Sequence, residues 1–316
     1  IHRYGVVADT SPVIFTNNSS TFSLLKTLTE MNCVPKAYVD IRDSKTIEKE
    51  TLDLISNYNI PFFPKSEIEG CEGKNEIKKI FIRMKKDKIV KIKTSMLCVS
   101  GGLNPDIHLF TQSKGLVKWD EKILTFKPEK SFQNTITLGS VSGNFYFEKL
   151  VDEVNKKLNF IEDSNSVSLN LEILGPKEFD IKEIWETKNL KKSLWSKSFI
   201  DLQNDVTTKD LKQAIREGFD RIEHLKRFTT NSMGTDQGKI SSINALGIAS
   251  KLLKKSVSEV GTTTYRPPYS PVSFSAIAGR STYEFYDPER KTPLHSWHEK
   301  QNAVFEDVGQ WKRPWY

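Results

Sequence analysis

Ser100-Gly101-Gly102-Leu103-Asn104-Pro105 closes an apolar run, Met96–Val99. Two adjacent residues without Cβ let backbone approach an anion such as a pyrophosphate closely. A tight turn without any ligand has the same letters, and composition leaves both readings open. Asp40 ends a second apolar run, Ala37-Tyr38-Val39. In a dinucleotide fold an acid at that place bonds a ribose diol. A third exit, Gly139-Ser140-Val141-Ser142-Gly143, follows Ile136-Thr137-Leu138 and leads into a helix over Tyr146–Leu158. Its first N–H groups can face a phosphate or ribityl chain. Nucleophilic chemistry has no candidate, because no Ser/His/Asp or Cys/His arrangement stands out. His295 and His298 share a helical face but have no further metal ligands near them in sequence. His224, between Glu223 and Lys226-Arg227, reads as a surface or capping residue. Cys33, Cys71 and Cys98 are too few and too scattered for a disulfide scaffold or a metal knuckle, and they fit a reducing, cytoplasmic compartment.

These candidates need elements to hold them. Pro12–Phe15 reads as a short strand, Thr16–Ser20 as a turn rich in helix-capping residues, and Thr21–Asn32 as a helix with Phe22, Leu24, Leu25, Leu28 and Met31 on its apolar side. With Ala37–Asp40 this makes a βαβ half-unit. The G-x-G-x-x-G fingerprint is absent from the chain, so the expectation is a Rossmann-type unit with a degraded or empty phosphate loop, plain scaffold being the alternative. The formal charge of +7 is local: Lys74–Lys93 holds nine basic and two acidic residues. Apolar residues alternate with these lysines, which predicts a hairpin with one solvated lysine face rather than a nucleic-acid site. At 316 residues, 37% hydrophobic and 28% charged, the composition is that of a soluble globular protein of about two domains. No apolar run reaches membrane-spanning length, so no membrane partner is expected.

Later strings point to a family. Phe199-Ile200-Asp201-Leu202-Gln203-Asn204-Asp205-Val206-Thr207, Glu223–Thr230, Met233–Lys239 and Gly261–Tyr269 resemble segments of the α subunit in the heterotetrameric sarcosine oxidase family. Phe15-Thr16-Asn17-Asn18 and Ser100–Pro105 resemble its dinucleotide-binding half, and the resemblance is weakest over Ile161–Leu194. It implies an α/β protein: a glutathione-reductase-like dinucleotide-binding region (1–160), a linker or crossover (161–197), a small all-α domain (198–260), and the start of an aminomethyltransferase-like α+β folate domain (261–316). It makes Asn17, Asn18 and Asp40 candidates for cofactor binding. So are Gly101, Gly102, Asn104 and Pro105, and Gly139, Ser140 and Gly143. It implies NAD for the whole subunit, tetrahydrofolate beyond this chain, FAD or FMN in the partner, and β, γ and δ subunits as partners. The chain reads as an internal piece of a longer polypeptide.

The helical block also resembles the iron–sulfur module of related amine and proline dehydrogenases. The four positions aligned with its cysteines are Asp201, Gln203, Asp236 and Ser241. Thiolates hold such clusters, and oxygen donors do not. The expectation is that scaffold without a cluster. Implied activity is oxidation of sarcosine to glycine, with peroxide formed and the one-carbon unit passed to tetrahydrofolate. Dimethylglycine or another N-methyl amino acid is the alternative substrate, and a non-catalytic truncated scaffold is the alternative role.

Overall fold

The structure, a computed structural model, describes residues 4–7, 9–158, 178–187, 197–234, 236–268, 270–278 and 287–315. The chain divides into two units, Ile1–Pro267 and Pro268–Tyr316.

The first unit opens with β1 (Val13–Thr16), α1 (Thr21–Glu30), β2 (Ala37–Asp40), α2 (Lys49–Asn57) and β3 (Phe62–Pro64). The chain then makes an antiparallel meander, β4 (Glu67–Glu72), β5 (Lys79–Arg83) and β6 (Ile89–Lys93), and returns through β7 (Leu97–Ser100). The central sheet runs β3-β2-β1-β7, all parallel. Period-two alternation explains its three layers. Ile14 and Tyr38 pack against Leu25, Leu28 and Ile55 of the helices. Val13, Phe15, Ala37 and Val39 pack against Ile68, Ile80 and Ile82 of the meander. Of the apolar side read for α1, Phe22, Leu25 and Leu28 are buried, while Met31 is exposed.

The lysine-rich hairpin is β5–β6, with Ile80 and Ile82 buried and Lys91 and Lys93 exposed. The sequence reading missed β4, whose register is broken by a bulge between Ile68 and Gly70.

After α3 (His108–Gln112) comes the hairpin β8 (Leu116–Asp120) and β9 (Thr125–Lys130), then α4 (Phe147–Leu158). The strand read over Ile136–Leu138 is not there. Those residues are irregular, and Gly139–Ser142 forms a 3-10 turn. The turn's geometry is fixed by α4: Glu153 Oε2 accepts from the Gly139 N–H at 3.0 Å and from Asn144 Nδ2 at 2.6 Å. Lys157 Nζ of α4 donates to the Thr137 carbonyl at 2.8 Å, so α4 holds that backbone group in place of a strand partner.

The block read as all-helical starts with a short ladder, β10 (Phe199–Asp201) with β11 (Val206–Thr207). The helices follow: α5 (Thr208–Arg216), α6 (Ile222–Thr229), α7 (Ser242–Leu253) and α8 (Val257–Val260). Thr207 and Asp210 close a capping box at the start of α5, as the Asp205–Asp210 string suggests. Its core gathers Ile200, Leu211, Ala214, Leu225, Ala245 and Ile248, with Trp185 packed against them. The Gly175-Pro176 break lies outside the described residues.

The second unit holds α9 (Phe274–Ala278), β12 (Arg290–Lys291), α10 (His295–Lys300), β13 (Val304–Val308) and β14 (Trp311–Trp315), its strands in the order β12-β14-β13. His295 is buried there, its ring 4.4 Å from that of Phe305. No group of three or more metal-ligating side chains occurs among the described residues. No helix among them is long and apolar enough to cross a membrane.

Candidate functional site

Parallel α/β sheets bind ligands outside the carboxyl ends of their strands. In the first unit a cavity of about 950 Å³ opens there. One wall is Asn17, after β1, with Gly101, Gly102 and Asn104, after β7. Asp201, Gln203, Asp236 and Ser241 line the same cavity. The strand-end candidates and the four positions aligned with cluster cysteines therefore face one space. That volume is at the upper end of ordinary ligand pockets, about 300–1,000 Å³.

Each candidate has a physical setting. Gly102 has φ +113°, a conformation that side chains disfavour, and a Cβ there would lie 2.7 Å from Ile181 Cδ1. A Cβ on Gly101 would meet nothing within 4 Å. Asn104 is held by the Thr125 hydroxyl, which donates to its Oδ1. Pro105 is buried behind it. Asp201 accepts from the N–H groups of Ser232 (2.8 Å), Gln203 (2.9 Å) and Asn204 (3.1 Å) and from Asn204 Nδ2 (3.1 Å). Burial pushes its carboxyl up, but the hydrogen bond from Ser232 and those from Asn204 and Gln203 outweigh that and hold it below its ordinary value. The Ser241 hydroxyl also points at it, at 3.4 Å. Asp201 is thus an ionised, internally bonded carboxylate that organises the β10–β11 turn. The three cysteines lie elsewhere: Cys33 is buried, Cys98 is half-buried in β7 and Cys71 is exposed in β4.

The candidates at the ends of β1 and β2 sit in closed settings. Asp40 does not face the cavity. It is fully buried, and its carboxylate accepts from Arg42 Nη2 at 2.9 Å, Arg42 Nε at 3.2 Å and the Arg42 N–H at 2.8 Å. A carboxylate so occupied has no lone pair for a ribose. Nor does a pyrophosphate fit the β1–α1 turn. Asn17, Asn18 and Ser19 are 4%, 0% and 2% exposed. Three of the turn's amides are engaged: Asn18 N–H on Thr16 Oγ1 (3.1 Å), Ser19 N–H on the Asp180 carbonyl (3.0 Å) and Ser20 N–H on Asn18 Oδ1 (3.0 Å). Gly139, Ser140 and Gly143 form a separate turn at α4 and do not themselves line this cavity, although a Cβ on Gly143 would lie 2.7 Å from Ile123, which does. Trp185 lines the cavity too, and the sequence reading passed over it. It sits in a polar, interrupted stretch, where only the pair Ile184-Trp185 hinted at a packed segment.

Residues 195–280 match the model of the sarcosine oxidase A3 domain. The chain is 31% identical over 330 residues, all of its length, to sarcosine oxidase subunit alpha of Corynebacterium sp. (strain P-1). It is 32% identical over 320 residues to that of Rhizobium meliloti (strain 1021). This chain is a homologue of the sarcosine oxidase α subunit. It spans about a third of the length of these relatives, 34% and 31%. Among solved structures, L-proline dehydrogenase from P. horikoshii superimposes with TM-score 0.54 at 18% identity, covering 88% of this chain and 51% of that one. That likeness establishes a shared mixed α/β fold. Asp201, Gln203, Asp236 and Ser241 all lie within the A3-matched residues of this sarcosine oxidase homologue.

Proposed function

We propose that this chain is part of an amine-oxidising flavoenzyme's α-type subunit, where it builds one wall of a nucleotide site and carries no reacting group. The supporting observation is identity of about 31% along the whole chain to sarcosine oxidase α subunits. The substrate would be sarcosine, and the nucleotide in this subunit NAD. The wall would be Gly101, Gly102 and Asn104, since the β1–α1 turn has no room for a pyrophosphate. A flavin held mainly by a partner subunit would accept the amine's electrons and pass them to oxygen as peroxide. Residues 261–316 would begin an aminomethyltransferase-like domain for tetrahydrofolate, and β, γ and δ subunits would complete a cytoplasmic complex.

This chain's own residues would then position and enclose. Thr125 fixes Asn104 at the cavity wall. Ile184 and Trp185 present apolar surface that keeps water from a reactive imine or its one-carbon product. Asp201, Gln203, Asp236 and Ser241 offer oxygen donors in place of thiolates, which supports an A3 module without an iron–sulfur cluster.

The test uses the full-length subunit purified with its partners. The complex is titrated with NAD and assayed for peroxide with sarcosine and with dimethylglycine. Gly101→Val adds bulk to the cavity at a position where a Cβ meets nothing in the fold within 4 Å. It should weaken NAD binding at least tenfold (about 1.4 kcal/mol). An unchanged affinity would remove this wall from the nucleotide site, and preference for dimethylglycine would replace the substrate.

A further inference from the structure

Residues Glu178–Lys182 cross the carboxyl ends of three neighbouring strands. After β1, the Lys182 N–H donates to the Asn17 carbonyl (2.8 Å), Asn17 Nδ2 donates to the Lys182 carbonyl (2.8 Å), and Asn18 and Ile181 form an antiparallel bridge. Ser19 exchanges two bonds with Asp180, its N–H on the Asp180 carbonyl (3.0 Å) and the Asp180 N–H on its Oγ (2.9 Å). After β2, Arg42 Nη1 donates to Asp180 Oδ2 (3.1 Å) and Lys182 Nζ to the Ile41 carbonyl (3.0 Å). After β7, Ile181 lies over Gly102, and Phe179 packs on Phe145 with ring centres 5.0 Å apart.

These three strand ends are where an open parallel sheet receives a dinucleotide: pyrophosphate at the first βα turn, ribose at the end of the second strand. We propose that Glu178–Lys182 is an intramolecular occupant of that path. Its Asp180 carbonyl takes the Ser19 N–H, its chain lies across the turn where a pyrophosphate would sit, and the Asp180 carboxylate takes the Arg42 guanidinium. Arg42, with a side chain 1% exposed, already faces Asp40 and Glu48 as well as Asp180. Three carboxylates around one guanidinium leave an incoming anion repelled. The strap also accounts for the glycine-free turn: backbone need not approach a phosphate when a peptide bonds to it. It goes beyond the nucleotide wall proposed above and leaves that wall standing, because it excludes dinucleotide from the ends of β1 and β2 and not from Gly101 and Asn104 after β7.

Hydrogen exchange read by mass spectrometry on the full-length subunit in its complex tests this. Millimolar NAD should leave the amides of residues 13–24 and 37–44 unchanged. Asp180→Ala should speed exchange at those same amides about tenfold, as loss of a charge-assisted bond opens the strap locally. Slower exchange at 13–24 with faster exchange at 178–187 on adding NAD would mean that ligand displaces the strap, and would overturn the proposal. So would an Asp180→Ala protein with unchanged exchange. If that variant does not assemble, Lys182→Met removes the bond to Ile41 and reads the same amides, with the same two outcomes. A complex that binds no NAD anywhere ends the nucleotide-wall reading, and the variants alone then decide the strap.

Discussion

Gly247 stands in the middle of α7, where alanine would ordinarily be better by about 1 kcal/mol. Here the sign should reverse. A Cβ on Gly247 would sit 2.1 Å from Trp185 Cδ2 and 2.3 Å from Cε2. The atoms in the way belong to a rigid ring, so Gly247→Ala must move the indole off the helix. Trp185 is half-buried against the core of the helical block. A tryptophan buries about 150–250 Å²; losing about 100 Å² of that at 25 cal/mol/Å² costs about 2.5 kcal/mol. Set against the propensity gain, Gly247→Ala should destabilise by about 1.5 kcal/mol. The decisive comparison is a double-mutant cycle followed by urea denaturation. In a Trp185→Ala background, Gly247→Ala should be stabilising by about 1 kcal/mol, because only helix propensity remains. A stabilising Gly247→Ala in the natural background would refute the packing of Trp185 on α7, and with it the shape of the cavity wall.

Three further outcomes follow from the same geometry. Arg42→Met leaves Asp40 buried without its partner and should cost about 3–5 kcal/mol, read by thermal denaturation; a loss under 1 kcal/mol would mean that the ion pair is not formed. Asp201 has a folded-state pKa below its unfolded value, so its stabilisation is present above about pH 4 and lost as pH falls through the lower folded value. Asp201→Asn should destabilise the protein at pH 7 by about 1.5–3 kcal/mol and flatten the acid limb of stability against pH; an unaltered limb would contradict the role given to its hydrogen bonds. The purified full-length subunit should contain no iron with acid-labile sulfide attributable to the A3 residues; such a cluster, lost on Asp201→Ala, would overturn the oxygen-donor reading.

Much of the fold could be read in the sequence where burial is two-sided. Val13–Phe15 and Ala37–Val39 are continuous apolar runs because both faces of a parallel sheet are covered, here by helices and by the meander. The lysine alternation of Lys79–Lys93 was legible because one face meets water. The strand read at Ile136–Leu138 failed for a definite reason: Ile-Thr-Leu says nothing about whether a neighbouring strand is free to pair, and α4 holds the Thr137 carbonyl through Lys157 and the Gly139 N–H through Glu153 instead. Asp40 was misread because an acid at a strand end is equally suited to a ribose and to an arginine two residues on, and Arg42 is that arginine. The strap was illegible because its bonds span 138 to 165 residues, and neither its backbone pairs nor its side-chain pairs leave a trace in local sequence. The meeting of Gly101 and Gly102 with Asp201 and Ser241 at one cavity is likewise a product of tertiary packing, which brings β7 and β10 to the same space.

The proposal most in need of a test is that this chain is part of an amine-oxidising complex of the sarcosine oxidase kind. The most direct measurement is peroxide production by the full-length subunit assembled with its partners, with sarcosine as sole electron donor and tetrahydrofolate present. The account predicts peroxide and glycine in equal amounts, with the one-carbon unit recovered on the folate. A correctly assembled, flavin-loaded complex that oxidises neither sarcosine nor dimethylglycine would contradict it.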